Sequence, residues 1–192
     1  MSILVVGSVA YDDLETPFGK KDRVLGGAAT HFSASASFYA PVQLVGVVGN
    51  DFNHSEISFL KDRGVDLSGL QVDTDGKTFH WKGRYGFDLN EAETLETHLN
   101  VFAQFKPILP QNFRNAPYVF LANIDPELQF NVLEQVQNPK LVAMDTMNYW
   151  IESKREVLHE VIKKVDIVLM NDGEARQFME TPNLPIAAAR LL

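Results

Sequence analysis

Short runs of apolar, largely β-branched residues recur along the chain, each stopping at a glycine or a polar residue. Ile3–Val6 stops at Gly7, Leu44–Val48 at Gly49, Tyr118–Ala122 at Asn123, Leu141–Met144 at Asp145 and Ile167–Met170 at Asn171. Runs that are apolar throughout, without alternation, predict strands buried on both faces. The stretches between them predict helices. Ala28–Ala40 mixes small and aromatic residues, which suits a helix laid close against a sheet. Ser55–Arg63 reads as a short helix stopped by Gly64, and Pro126 opens one that runs to about Gln137. Val157, Leu158, Val161, Ile162 and Val165 recur at spacings of three and four, the mark of an amphipathic helix over Ile151–Val165. Gly173–Met179 and Ile186–Leu192 complete the set. This alternation predicts an α/β fold, a mostly parallel sheet flanked by helices on both faces.

One stretch departs from this rhythm. From Phe79 to Phe87 the odd positions are Phe79, Trp81, Gly83, Tyr85 and Phe87, and the even ones are His80, Lys82, Arg84 and Gly86. Period-two alternation predicts a strand with one wet face. Asp75-Gly76 ahead of it predicts a hairpin turn back to Leu70–Asp73. The reading is one domain over residues 1–192, with a small β lid whose strands come from about 12–25 and 70–105.

Composition narrows the classes. The 192 residues are 45% hydrophobic, enough for one substantial core, and carry a net charge of −8. That balance argues against nucleic-acid or membrane-surface partners. With no cysteine, disulfides, thiol catalysis and cysteine-ligated zinc are excluded. No apolar run approaches the ~18 residues of a membrane span, and Ile3–Val6 is too short for a signal-peptide core. The expectation is a soluble, cytoplasmic protein. The histidines at 31, 54, 80, 98 and 159 show no metal-ligand spacing, and neither a dinucleotide fingerprint nor a P-loop occurs.

In open parallel sheets, ligands sit beyond the carboxyl ends of the strands. There the sequence places Asp12 and Asp13, Asn50 and Asp51, Asn123 and Asp125, Asp145 and Asn148, and Asn171, Asp172 and Glu174. Any one of these is an ordinary turn or cap residue. Their recurrence along one edge suits a hydroxyl-rich ligand held by paired hydrogen bonds. Gly26-Gly27 before a helix allows close backbone approach at a helix start.

Four of these stretches, in order, resemble the PfkB or ribokinase-like carbohydrate kinases. They are Val5-Val6-Gly7-Ser8-Val9-Ala10-Tyr11-Asp12, Gly26-Gly27-Ala28-Ala29-Thr30-His31, Val45-Gly46-Val47-Val48-Gly49-Asn50-Asp51, and Asp166–Ala175 with its Asn-x-x-Glu motif. The resemblance implies a ribokinase-like core with a β lid, and the aromatic stripe of that lid is expected to pack over the substrate or to pair two copies into a homodimer. It also implies transfer of the ATP γ-phosphoryl group, with Mg2+, to a hydroxyl of a small sugar or nucleoside. By the same resemblance Asp12, Gly26, Gly27, His31 and Asp125 bind the acceptor, and Asn171 and Glu174 organise magnesium-bound water and phosphates. His31 stands where many members have Asn. The family's Gly-Ala-Gly-Asp motif, with its general base, does not occur in these residues. The base is therefore expected beyond Leu192, and the chain is expected to be the acceptor-binding, N-terminal part of a kinase. The alternatives are a non-catalytic sugar- or nucleoside-binding short paralogue, or an assembly subunit pairing through the lid face of Phe79, Trp81 and Tyr85.

Overall fold

The computed structural model describes residues 2–89 and 92–191. Its strands are β1 (Ile3–Val6), β2 (Ala10–Thr16), β3 (Gly19–Gly26), β4 (Val42–Gly49), β5 (Asp66–Asp73), β6 (Phe79–Tyr85), β7 (Ala92–His98), β8 (Tyr118–Leu121), β9 (Leu141–Asp145) and β10 (Ile167–Leu169). Its helices are α1 (Ala28–Ala36), α2 (Ser58–Asp62), α3 (Pro126–Gln135), α4 (Asn148–Ser153), α5 (Arg155–Ile162), α6 (Asp172–Met179) and α7 (Leu184–Leu191).

The apolar runs meet in a six-stranded sheet of order β10-β9-β8-β1-β4-β5, in which every neighbouring pair is parallel. Strand alternation sends Leu4, Val6, Val45 and Leu121 to one face, against Val132 of α3 and Leu158 and Val161 of α5. Val5, Leu44, Val48 and Phe120 go to the other, against α1 and Leu60 of α2. The small residues of α1 act as expected. Ala29, Ser33 and Ala36 are buried, and this close approach lets Phe32 stack on Phe120 with centroids 3.7 Å apart.

The second sheet has order β3-β2-β6-β7. Strands β2 and β3 form an antiparallel hairpin, β2 runs parallel to β6, and β6 is antiparallel to β7. Gly83 makes room for an aromatic ring: a Cβ there would lie 1.9 Å from the Trp81 ring. Trp81 in turn donates from Nε1 to Thr94 Oγ1 at 3.2 Å.

Several expectations need correction. Leu70–Asp73 does not form a hairpin with Phe79. It belongs to β5, which pairs in parallel with β4 in the large sheet. Asp75-Gly76 instead carries the chain from one sheet to the other, and Gly76 is not in the left-handed conformation that a tight hairpin needs. Strand β6 does not have one wet and one dry face, because most of its residues on both sides are half-buried. The helix read over Ile151–Val165 is two, α4 and α5, broken at Lys154, whose φ of −139° and ψ of 36° are not helical. Strand β10 is not buried: Ile167 and Leu169 are 45% and 49% exposed. It is the last strand of the sheet order and pairs only with β9 among the described residues. Positions 90 and 91 of the expected lid segment, and Leu192 at the end of the last expected helix, lie outside the described residues.

Candidate functional site

Asp12 lies in the middle of β2, and its carboxylate rests on the backbone of Gly26. A Cβ at Gly26 would stand 1.9 Å from Asp12 Oδ2. Gly27, the N-cap of α1, holds φ at 93°. A Cβ there would come 2.3 Å from the Ser8 carbonyl oxygen. Only glycine meets both demands, a left-handed backbone and no side chain. Ser8, just past β1, accepts two of the free donors of the helix: Ala28 N–H donates to its Oγ at 3.0 Å and Ala29 N–H to its carbonyl at 3.1 Å. The Gly27 N–H lies near enough to Asp12 to favour its charged form.

Burial pushes the Asp12 carboxyl up to about 6, against the pull of His31, the Gly27 N–H and His80. His31 sits exposed in the first turn of α1. Tyr85, across the lid on β6, is raised by burial and by the charge of Asp12. A carboxylate, an imidazole, a phenol and a helix N-terminus thus gather where the lid meets the large sheet. That set accepts and donates hydrogen bonds, as a polyhydroxylated ligand requires.

A second group forms at the ends of β8, β9 and β10. Asn171 and Glu174 make a reciprocal capping box on α6, with Glu174 N–H donating to Asn171 Oδ1 at 2.8 Å and Asn171 N–H to Glu174 Oε2 at 2.9 Å. Burial raises Glu174. Asp145 is pushed up to about 7, first by burial and then by the charge of Glu174. Fully buried Gln129 ties the strand ends together, its Nε2 donating to the carbonyls of Leu121, Ala122 and Asp145. Asn123 Oδ1, Gln129 Oε1, Asp145 Oδ1 and Thr146 Oγ1 are buried without a hydrogen-bond partner. Buried acceptors without donors are costly. Their concentration at one strand edge fits a place that a donor, a water or a cation completes.

Of the residues predicted from sequence, Asp12, Gly26, Gly27 and His31 come together, and Asn171 and Glu174 do so separately. Asp125 joins neither set. Its Oδ1 caps α3 by accepting from Glu127 N–H at 2.9 Å, and its Oδ2 pairs with Lys154 Nζ at 2.7 Å. Lys154 also bridges to Glu127 at 3.0 Å. Asp145 and Asn123 carry a strand-end signal in the sequence, but nothing there marks their oxygens as orphaned. Tyr85 was legible only as an aromatic of the lid.

A parallel α/β layer thus carries a four-stranded lid, with a buried carboxylate set on a glycine pair where the two meet. The comparisons sharpen this. The chain belongs to the pfkB family of carbohydrate kinases, whose family model matches residues 4–191. A curated relative, the cytidine kinase of Thermococcus kodakarensis, is 29% identical over 179 residues, which cover 91% of this chain and 63% of the relative. The chain therefore spans just under two thirds of that relative's length. Among solved structures, the Methanocaldococcus jannaschii nucleoside kinase matches with a TM-score of 0.74 at 19% identity, over 98% of this chain and 67% of that one. Arabidopsis thaliana ribokinase, complexed with ribose and ATP, matches with a TM-score of 0.73 at 19% identity, over 98% and 67%. Halothermothrix orenii fructokinase matches with a TM-score of 0.74 at 14% identity, over 100% and 76%. At these identities the structures show a shared fold.

Proposed function

We propose that these residues are the acceptor-binding part of an ATP- and Mg2+-dependent kinase that phosphorylates a hydroxyl of a nucleoside or, as the second choice, a free sugar. The observation that carries the reading is Asp12, a buried carboxylate laid against the backbone of Gly26 beside the N-terminus of α1. Such a carboxylate accepts hydrogen bonds from acceptor hydroxyls and orients one of them, and positioning is most of what a phosphoryl-transfer enzyme supplies. His31 borders the same hydroxyls and tunes their recognition. The cytidine kinase relative puts nucleosides ahead of sugars.

The second group fits the phosphate side. Asp145, Asn123 and Thr146 present buried oxygens without partners, and Glu174 lies close enough for its charge to raise Asp145. This acidic, oxygen-rich set suits the water shell of a magnesium ion, which when bound with ATP neutralises phosphate charge. Asn171 and Glu174 orient that shell through their capping box, and Asp125 supports the loop after β8 from its cap. The expected lid face of Phe79, Trp81 and Tyr85 is half-buried within the chain, with Phe79 stacked on Phe102; we propose instead that a cytoplasmic homodimer joins through Phe18 and Phe87, which are 74% and 82% exposed and meet edge-to-face at 6.1 Å.

The test is ATP consumption by the protein expressed from its whole coding sequence, with cytidine, uridine, adenosine, ribose and fructose as acceptors. Turnover of a nucleoside, lost in Asp12→Ala while the protein stays folded, supports the proposal. A folded protein that consumes ATP with none of the five overturns it.

A further inference from the structure

The hairpin that carries Asp12 is irregular in one place. Asp12 pairs with Val24 and Leu14 with Lys21, so Asp13 alone faces two residues, Asp22 and Arg23. This is a β-bulge, with Arg23 in the left-handed conformation at φ 51°. Glycine is the usual residue at such a position, and any other costs about 1 kcal/mol or more. A strained arginine where glycine would be comfortable calls for a compensating contact, and the structure supplies four.

The Arg23 N–H donates to Asp13 Oδ1 at 2.7 Å. Its guanidinium lies over the Tyr11 ring, 3.8 Å from the centroid. Its Nη2 donates to the Asp51 carbonyl at 2.7 Å, and its Nη1 pairs with Asp51 Oδ2 at 3.4 Å. Asp51 belongs to the loop after β4 in the large sheet and is itself fixed, its Oδ1 accepting from Thr78 N–H at 2.7 Å. One side chain thus spans from the lid hairpin to the main body. Tyr11 and Asp13, the two residues Arg23 holds, flank Asp12 in the chain. By strand alternation they share one face and Asp12 occupies the other.

We propose that Arg23 is a positioning residue that clasps the lid hairpin to the loop after β4 and thereby fixes where the Asp12 carboxylate stands. The ion pair alone is too exposed to matter much, with Arg23 and Asp51 side chains 49% and 24% exposed. What distinguishes the clasp is one planar cation that stacks on a ring and forks onto a carbonyl and a carboxylate together. Lysine cannot reproduce that combination. The effect on acceptor affinity rests on the kinase reading above; the clasp itself does not.

The experiment therefore has two arms on the protein from its whole coding sequence, with Arg23→Gly and Arg23→Lys. Arg23→Gly suits the bulge backbone, so it retains the fold. In the first arm, amide hydrogen exchange without ligand, Arg23→Gly speeds exchange in residues 10–26 by about ten-fold and leaves β1 and β4 unchanged. Unchanged exchange in the hairpin overturns the clasp. In the second arm, Arg23→Gly raises the acceptor KM by about ten-fold while the KM for ATP and the melting temperature stay at the wild-type value, and Arg23→Lys rescues little of the loss. Wild-type acceptor KM in Arg23→Gly, or full rescue by lysine, overturns the positioning role. If wild-type protein turns over no acceptor, the kinase reading fails and the exchange arm still decides the clasp.

Discussion

Burial holds the Asp12 carboxyl at about 6, where an ordinary aspartate titrates near 3.8. Between these values the folded chain binds more proton than the unfolded one. The stability contributed by this group is therefore complete below its unfolded value and is lost as pH rises through about 6. In the proposed role, acceptor binding runs the other way, because the ionised carboxylate is the better partner for hydroxyls. Acceptor affinity, measured by calorimetry, should rise as pH climbs through about 6 and level off above neutrality, and Asp12→Asn should flatten the profile. Asp145 follows the same sign over a wider window, from 3.8 to about 7. Asp145→Asn should therefore raise stability at pH 8 by about 2 kcal/mol and change it little at pH 4, as read by denaturant titration. Such a gain, coupled to weaker use of ATP, would show a carboxylate kept for function at the expense of stability.

The glycine pair at the start of α1 separates two effects that a sequence motif merges. At Gly27 an added Cβ meets backbone, 2.3 Å from the Ser8 carbonyl oxygen, at a φ of 93°. Gly27→Ala should lose about 2 kcal/mol or more of stability, seen as a lower melting temperature. At Gly26 the added Cβ meets the movable end of Asp12. Gly26→Ala should leave the melting temperature nearly unchanged and weaken acceptor binding by displacing the carboxylate. The apolar runs made most strands of the large sheet legible, since burial on both faces leaves an unbroken pattern. The hairpin read over Leu70–Tyr85 misled because alternation and a turn signal do not say which strand is the partner. Strand β10 misled for a related reason: its composition is that of a buried strand, and only the sheet order puts it at an edge.

Over the whole molecule, two sheets meet, and the residues proposed to bind the acceptor stand where they meet. The lid presents the exposed pair Phe18 and Phe87 at its outer end. If the proposed lid pairing holds, sedimentation should show a dimer that Phe87→Ser converts to monomer at unchanged melting temperature; a wild-type monomer would remove the pairing. Local chemistry was enough to read the α/β class from sequence, and to point to the glycine pair and Asp12 that the fold brings together. Periodicity, turn residues and a short ordered set of motifs are properties of neighbouring positions. What brings Arg23 to Asp51, joins Asp145 to Glu174, and commits Asp125 to Lys154 depends on segments far apart in the chain. Only the folded backbone sets those distances and withdraws those groups from water. The sequence by itself therefore determined the layers and singled out the carboxylate proposed to bind the acceptor. The tertiary structure decided how deeply that carboxylate is buried, and so its proton affinity, and which side chains hold it in place.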